Sequence, residues 1–186
     1  MAILEILKYP DPRLREISKP VVKFDASLKD LVKNMLETMY QENGIGLAAA
    51  QVGELKRMLV IDTRPRDIEG RYEKMEMTDF EQKIKQPLVI INPEIVKGEG
   101  KTYFNEGCLS VPSFFDEVER FQTIELKYQD IDGKTHHINV DGLLAICIQH
   151  EMDHLEGTLF IDHLSLIKSN KIKNQIKKHG LSLIHI

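Results

Sequence analysis

Apolar residues in the first quarter of the chain recur with the period of a helix. Leu28, Leu31, Val32, Met35, Leu36, Met39 and Tyr40 stand at i, i+3, i+4, i+7, i+8, i+11 and i+12, one stripe along a helical cylinder. Asp25 or Ser27 supplies a cap before the stripe, and Asn43-Gly44 a stop after it. Runs at 57–62, 88–92, 117–129 and 134–140 predict strands, with Asp132-Gly133 as the hairpin turn of the last pair. Between the first two, 63–86 is polar and charged and predicts an extended surface loop. Leu143, Leu144, Ile146 and Ile148 form the apolar body of a second helix, opened by Asp141-Gly142 and stopped at Gly157. A helix this apolar belongs in the middle of a fold. A further long helix closes the chain. The pattern predicts an α+β fold, with antiparallel and mixed β-sheets packed around the central helix and a C-terminal helix behind them.

Composition narrows the class. At 186 residues the chain is expected to form one catalytic domain, 1–186, divided into a core at 1–162 and a basic helix and tail at 163–186. Two cysteines do not make a disulfide framework and point to a reducing compartment. No apolar run reaches membrane-spanning length and the start has no secretory or transit pattern, so a soluble, cytoplasmic protein without a membrane partner is expected, and a mature organelle enzyme with its leader removed would look similar. The formal net charge is −4, yet five lysines (168, 171, 173, 177 and 178) and no acids follow Asp162. A basic helix on an acidic body suits a polyanionic partner as well as it suits a solvated face. The last six residues, 181–186, are mostly apolar and suit either packing on the body or a dimer contact.

The central helix carries the chemistry. His150-Glu151-Met152-Asp153-His154 puts two imidazoles at i and i+4, on one helical face, where both reach a single ion. Glu151 stands beside the first of them, placed to take a proton from water and pass it to a leaving group. Buried imidazoles and a buried carboxylate need partners, which a metal provides. The third ligand decides the class of hydrolase. A downstream H-x-x-G-x-x-H run fails because Phe160 occupies its last position, and no glutamate follows Glu156 to serve as in thermolysin-like enzymes. Asp162 and His163 stay candidates. Of the two cysteines, Cys147 lies seven residues before His154, roughly 10 Å along the helix, too far for a bond of about 2.3 Å to an ion that both histidines hold. Cys108, in the turn-like Glu106-Gly107-Cys108-Leu109-Ser110, is the better candidate, with Cys147 lining the pocket. Glu106 is a candidate acceptor for a ligand histidine or a partner for Arg120.

A third segment, Gly44-Ile45-Gly46-Leu47-Ala48-Ala49-Ala50-Gln51, is built of small residues that let another backbone approach. It lacks the lysine and hydroxyl of a phosphate-binding loop. Taken in order, GIGLAAAQ, EGCLS and QHEMDHLEG resemble the three signature segments of the bacterial peptide deformylases, and Tyr9-Pro10-Asp11-Pro12-Arg13-Leu14-Arg15 resembles that family's opening. The likeness covers roughly residues 3 to 165. It implies removal of the formyl group from N-formylmethionine on new polypeptides, with release of formate. Cys108, His150 and His154 would hold one divalent metal, with water as a fourth ligand. Fe²⁺ is implied in the cell, and thiolate and imidazole also suit Zn²⁺, Ni²⁺ or Co²⁺. Glu151 would be the general acid/base, and Gln51 and the Leu109 backbone N–H would stabilise the oxyanion. Gly46 would pair with substrate backbone, while Ile45, Ile146, Cys147 and His150 would wall the methionine pocket. The family also uses a C-terminal helix to dock on the ribosome, which the lysine-rich helix here fits; no DNA partner is implied. Two other classes stand beside this one. A zinc endopeptidase needs a third ligand after the helix, and a non-catalytic metal-binding factor has no use for both Glu151 and Gln51.

Overall fold

The computed structural model describes residues 2–67, 69 and 77–179. The predicted first helix is α1 (Ala26–Gln41), capped by the Asp25 carboxylate, which accepts the Leu28 N–H at 3.0 Å. Five strands form one antiparallel sheet: β1 (Gly46–Ala48), β2 (Met58–Ile61), β3 (Leu88–Glu99), β6 (Thr123–Gln129) and β7 (Thr135–Asp141), in the order β1-β2-β3-β6-β7. The other two, β4 (Thr102–Cys108) and β5 (Val111–Arg120), pair antiparallel as a separate hairpin. Parallel pairing is limited to an isolated bridge between Lys19 and Lys56 among the described residues.

Strand alternation sends side chains to opposite faces, and each face of the five-stranded sheet meets a helix. Leu47, Met58, Val60 and Ile91 pack against Leu28, Val32, Met35 and Met39 of α1. Ala48, Leu59, Ile61, Ile90, Ile124, Leu126 and Val140 pack against α3 (Gly142–Leu155), the helix of the HExxH pattern. α3 is buried almost throughout, as its apolar body predicts. The closing helix α4 (Leu166–His179) lays Ser169, Ile172 and Ile176 toward β5 and the turn at Leu159–Ile161, with Lys171, Lys177 and Lys178 exposed. No helix among the described residues is long and apolar enough to cross a membrane.

Three local expectations are corrected. The strand predicted at 117–129 is two strands, parted at Phe121 and Gln122. There Gln149 of α3 takes the place of a strand neighbour: its Oε1 accepts the Phe121 N–H at 2.9 Å and its Nε2 donates to the Phe121 carbonyl at 3.0 Å. The cysteine of EGCLS ends strand β4 rather than sitting in a turn; the turn follows it. The segment 63–86 is not all surface loop. It contains α2 (Asp79–Lys83), whose Thr78 and Glu81 form a reciprocal capping pair. The same Glu81 carboxylate accepts the Leu144 N–H at 3.4 Å, and the Thr78 hydroxyl bonds the Asp141 carboxylate. Asp141 therefore does not cap α3 with its own side chain. Gly142, at φ +64, has the Glu81 carboxylate where a Cβ would stand, so glycine is required twice over. Residues 68 and 70–76 of this segment, and the apolar end at 181–186, lie outside the described residues.

Candidate metal centre

Sheet, helix and hairpin converge on one place. Cys108 ends β4, and His150 and His154 lie one turn apart on α3. One donor atom from each lies within 4.8 Å of the others. Cys108 Sγ is 3.4 Å from His154 Nε2. His150 turns its Nδ1 to Glu106 Oε1 at 2.8 Å, which leaves Nε2 for the centre. Burial alone would push the Cys108 thiol up, but the imidazoles of His154 and His150 hold it well below its ordinary range. Burial opposes charge on His150 too, and Cys108 and Glu106 overcome it, raising the imidazole. Both directions favour the charged forms, thiolate and imidazolium. A cation held by the same atoms takes the place of that proton. A thiolate and two imidazoles at this spacing fit one divalent transition-metal ion.

Around these donors stands a second set of side chains. The Arg120 guanidinium grips Glu106 with two bonds of 2.8 Å and reaches Asp153 at 2.6 Å. Burial would raise the Glu106 carboxyl, but Arg120 and His150 hold it below its ordinary range. Glu106 thus fills both roles open to it in the sequence, acceptor for a histidine and partner for Arg120. Asp162 and His163, the other ligand candidates, are engaged elsewhere. Asp162 pairs with Arg15 at 2.5 Å and His163 with Asp153 at 2.7 Å. Neither belongs to the cluster.

Glu151 is buried next to His150, with 3.9 Å between Oε1 and His150 Nε2. Its carboxyl is raised, first by burial; His150 and His154 oppose the rise while Cys108 and Glu106 add to it. Oε2 is buried without a hydrogen-bond partner among the described residues. Gln51, in the short helical turn after β1, is also buried. Its Oε1 accepts the Ala48 N–H at 2.9 Å, which turns the amide N–H₂ to Ser110 Oγ at 3.2 Å and Cys108 Sγ at 3.6 Å.

A cavity of about 420 Å³ opens onto the centre. Ile45, Gly46, Leu109, Ile146, Cys147, His150 and Glu151 all line it. β1 passes so close to α3 that a Cβ on Gly46 would lie 2.8 Å from Cys147 Sγ and 2.9 Å from Glu151 Oε1, so only glycine fits. Burial raises the Cys147 thiol well above its ordinary range, with Glu151 and Glu106 adding to it. It lines the cavity and lies outside the cluster of Cys108, His150 and His154. Leu143, Phe104, Pro112 and Phe115 also line the cavity and are absent from the sequence-based set. Leu143 was within reach of spacing, since 143, 146, 147 and 150 share one helical face; the hairpin residues had no such signal.

A family model described as polypeptide deformylase matches residues 3–170. The chain belongs to the polypeptide deformylase family. A peptide deformylase of Novosphingobium aromaticivorans is 50% identical, over 96% of this chain and 97% of the relative. That of Chromobacterium violaceum is 47% identical over 96% of each. The crystal structure of a peptide deformylase from Legionella pneumophila superposes with a TM-score of 0.80 at 44% identity, covering 95% of this chain and 94% of that one. The peptide deformylase of Ehrlichia chaffeensis, solved in complex with actinonin, gives 0.81 at 42% identity, covering 96% and 98%. As a member of the deformylase family the chain is a metal-dependent hydrolase acting on formylated peptides.

Proposed function

We propose that this site removes the N-formyl group from N-formylmethionyl nascent polypeptides, with a water consumed and formate and a free amino terminus released. The observation that carries the reading is the placing of Glu151 beside the Cys108, His150 and His154 donors at the inner end of a cavity. Those three would hold one divalent ion, Fe²⁺ in the cell, with Zn²⁺, Ni²⁺ or Co²⁺ able to stand in. The ion supplies a Lewis acid that polarises the formyl oxygen and makes water more acidic.

The chain's own residues do the rest. Glu151 takes a proton from the attacking water and delivers it to the leaving amine nitrogen. Its raised carboxyl is closer to neutrality than an ordinary glutamate, which suits two-way proton transfer. As the formyl carbon becomes tetrahedral, charge collects on one oxygen. The Gln51 amide N–H₂ and the Leu109 backbone N–H meet that charge, a loss of one such donor costing about 10²- to 10³-fold in rate. Gln51 is ready for this, because the Ala48 N–H fixes its other end. Glu106, braced by Arg120, steadies the His150 ring. Ile45, Ile146, Cys147 and the His150 ring form the apolar wall for the methionine side chain. Gly46 offers its backbone to the polypeptide, as an edge strand without a side chain can.

The cytoplasm is the expected place of action. The exposed lysines of α4 suit docking on ribosomal RNA, where substrates emerge. A single domain spanning 1–186, with core and tail as set out above, is part of the same proposal. Formate release from formyl-Met-Ala, compared with cleavage of an internal unformylated peptide, tests the reaction. Deformylation of the first and no cut in the second is expected; the reverse would assign an endopeptidase.

A further inference from the structure

We infer that Arg66 is a positioning residue for the polypeptide, holding the strand edge on which it pairs. The inference rests on the reading above that Gly46 meets substrate backbone. β1 lies at the edge of its sheet, and its register sets Gly46 opposite Ile61. The Ile45 carbonyl is turned inward, accepting the Asp62 N–H at 2.9 Å. Hydrogen-bonding groups alternate sides along a strand, so those of Gly46 face the open edge.

Such an edge is poorly fixed by itself. β1 is three residues long with one neighbour, and the glycines at 44 and 46 have no side chain to restrict their backbone. Outside donors and acceptors hold it instead. Gln51 takes the Ala48 N–H at the far end. At the near end Gly44 is tied twice: its N–H donates to the Met39 carbonyl at 2.9 Å, and its carbonyl accepts Arg66 Nη2 at 2.9 Å. The Arg66 guanidinium in turn sits 4.4 Å above the ring of Tyr40, on the last turn of α1. The ring fixes the direction of the donor, since a cation over an aromatic face is held without a second hydrogen bond.

Arg66 also lines the space next to the first cavity. A second cavity of about 440 Å³, lined by Tyr40, Asn43, Ile45 and Arg66 among others, shares Asn43 and Ile45 with the first. The hydrogen bond and ring contact of Arg66 go to Gly44 and Tyr40, neither of which is a candidate ligand or proton carrier. Loss of Arg66 therefore weakens substrate binding and spares the chemical step, which appears as a change in KM with kcat kept.

The test is steady-state formate release from formyl-Met-Ala-Ser by the metal-loaded enzyme and its Arg66→Ala and Arg66→Lys variants, with metal content and melting temperature measured alongside. Arg66→Ala should raise KM about five- to tenfold, the loss expected for one ordinary hydrogen bond, with kcat within about twofold. Arg66→Lys keeps a donor and a cation over Tyr40 and should return KM to within about threefold. Should Arg66→Ala fail to fold, Arg66→Gln carries the comparison, with a KM above that of Arg66→Lys. An unchanged KM in the alanine or glutamine variant overturns the inference. So does a parallel fall of kcat and metal content that lysine does not repair. A wild-type enzyme that releases no formate would overturn the reaction assigned above instead.

Discussion

Glu106 sets one carboxylate oxygen 2.8 Å from Nδ1 of His150, and that same oxygen accepts Arg120 Nη2 at 2.8 Å. A ligand histidine so anchored keeps its tautomer and its aim, and such outer partners typically carry 10- to 100-fold in metal affinity. Glu106→Ala should lower metal affinity by about that factor, read by competition with a chelator. It should also leave Arg120, buried at 4% side-chain exposure, with Asp153 as its one remaining carboxylate partner among the described residues, and lower the melting temperature. Unchanged chelator competition would remove Glu106 from the support of the centre.

Glu151 and the two cysteines separate chemistry from ligation. Glu151→Ala is expected to keep its metal and lose roughly 10²- to 10⁴-fold in kcat, the usual worth of general acid–base catalysis. Cys108→Ser should bind metal weakly, while Cys147→Ser keeps full stoichiometry. Metal analysis of the three proteins after gel filtration decides. Equal loss in both cysteine variants would contradict the donor geometry.

The tie between Arg15 and Asp162 gives a pH signature far from the centre. Burial would raise the Asp162 carboxyl, but Arg15 and the Leu159 N–H outweigh it and hold it below its ordinary value. A depressed folded pKa favours the folded state above the unfolded value, near 4, and the benefit fades as pH falls through the folded pKa. Melting of wild type beside Asp162→Asn should show a gap of about 1 kcal/mol at pH 6–7, fitting a partly exposed pair. The gap should close below about pH 4. A gap undiminished at pH 3 would mean that the charge of Asp162 is not its source.

Salt reveals whether α4 meets a polyanion. Phosphate neutralisation by lysines makes binding fall steeply with salt. Wild-type protein should co-sediment with ribosomes at low salt and less at moderate salt. Replacing Lys171, Lys173, Lys177 and Lys178 with Glu should abolish this and leave turnover of formyl-Met-Ala unchanged. Binding that ignores both salt and lysines would dismiss the tail as a docking element.

The parts of this protein written in the sequence are those with short-range causes. The stripe of α1, the apolar body of α3 and the i, i+4 histidines each follow from one helix's own geometry. β4 was illegible because its first residues alternate with nothing: Tyr103, Phe104 and Asn105 are all exposed, and only Glu106 turns inward, toward a partner on another element. The break at Phe121 depends on Gln149, which is 28 residues away. α2 is five residues long and is held by a contact to Leu144, 63 residues beyond Glu81. The grouped cysteine and histidines are legible in the sequence; the rim residues Phe104 and Phe115 are not, since a hairpin apart from the main sheet brings them there.

The Glu81 carboxylate that receives the Leu144 N–H makes the start of α3 a borrowed one. Shortening the connection between β2 and β3 would take that acceptor away and let the first turn of α3 unwind. The turn that loosens carries Leu143 and leads to Ile146, whereas the histidines sit in later turns, against β4. Damage there would reach the cavity wall at Leu143 and Ile146, the latter proposed above to face the methionine side chain, before it reached the metal donors. An enzyme trimmed at this connection would keep its metal and lose its discrimination, accepting formylated residues other than methionine at rates closer to its own slowed best.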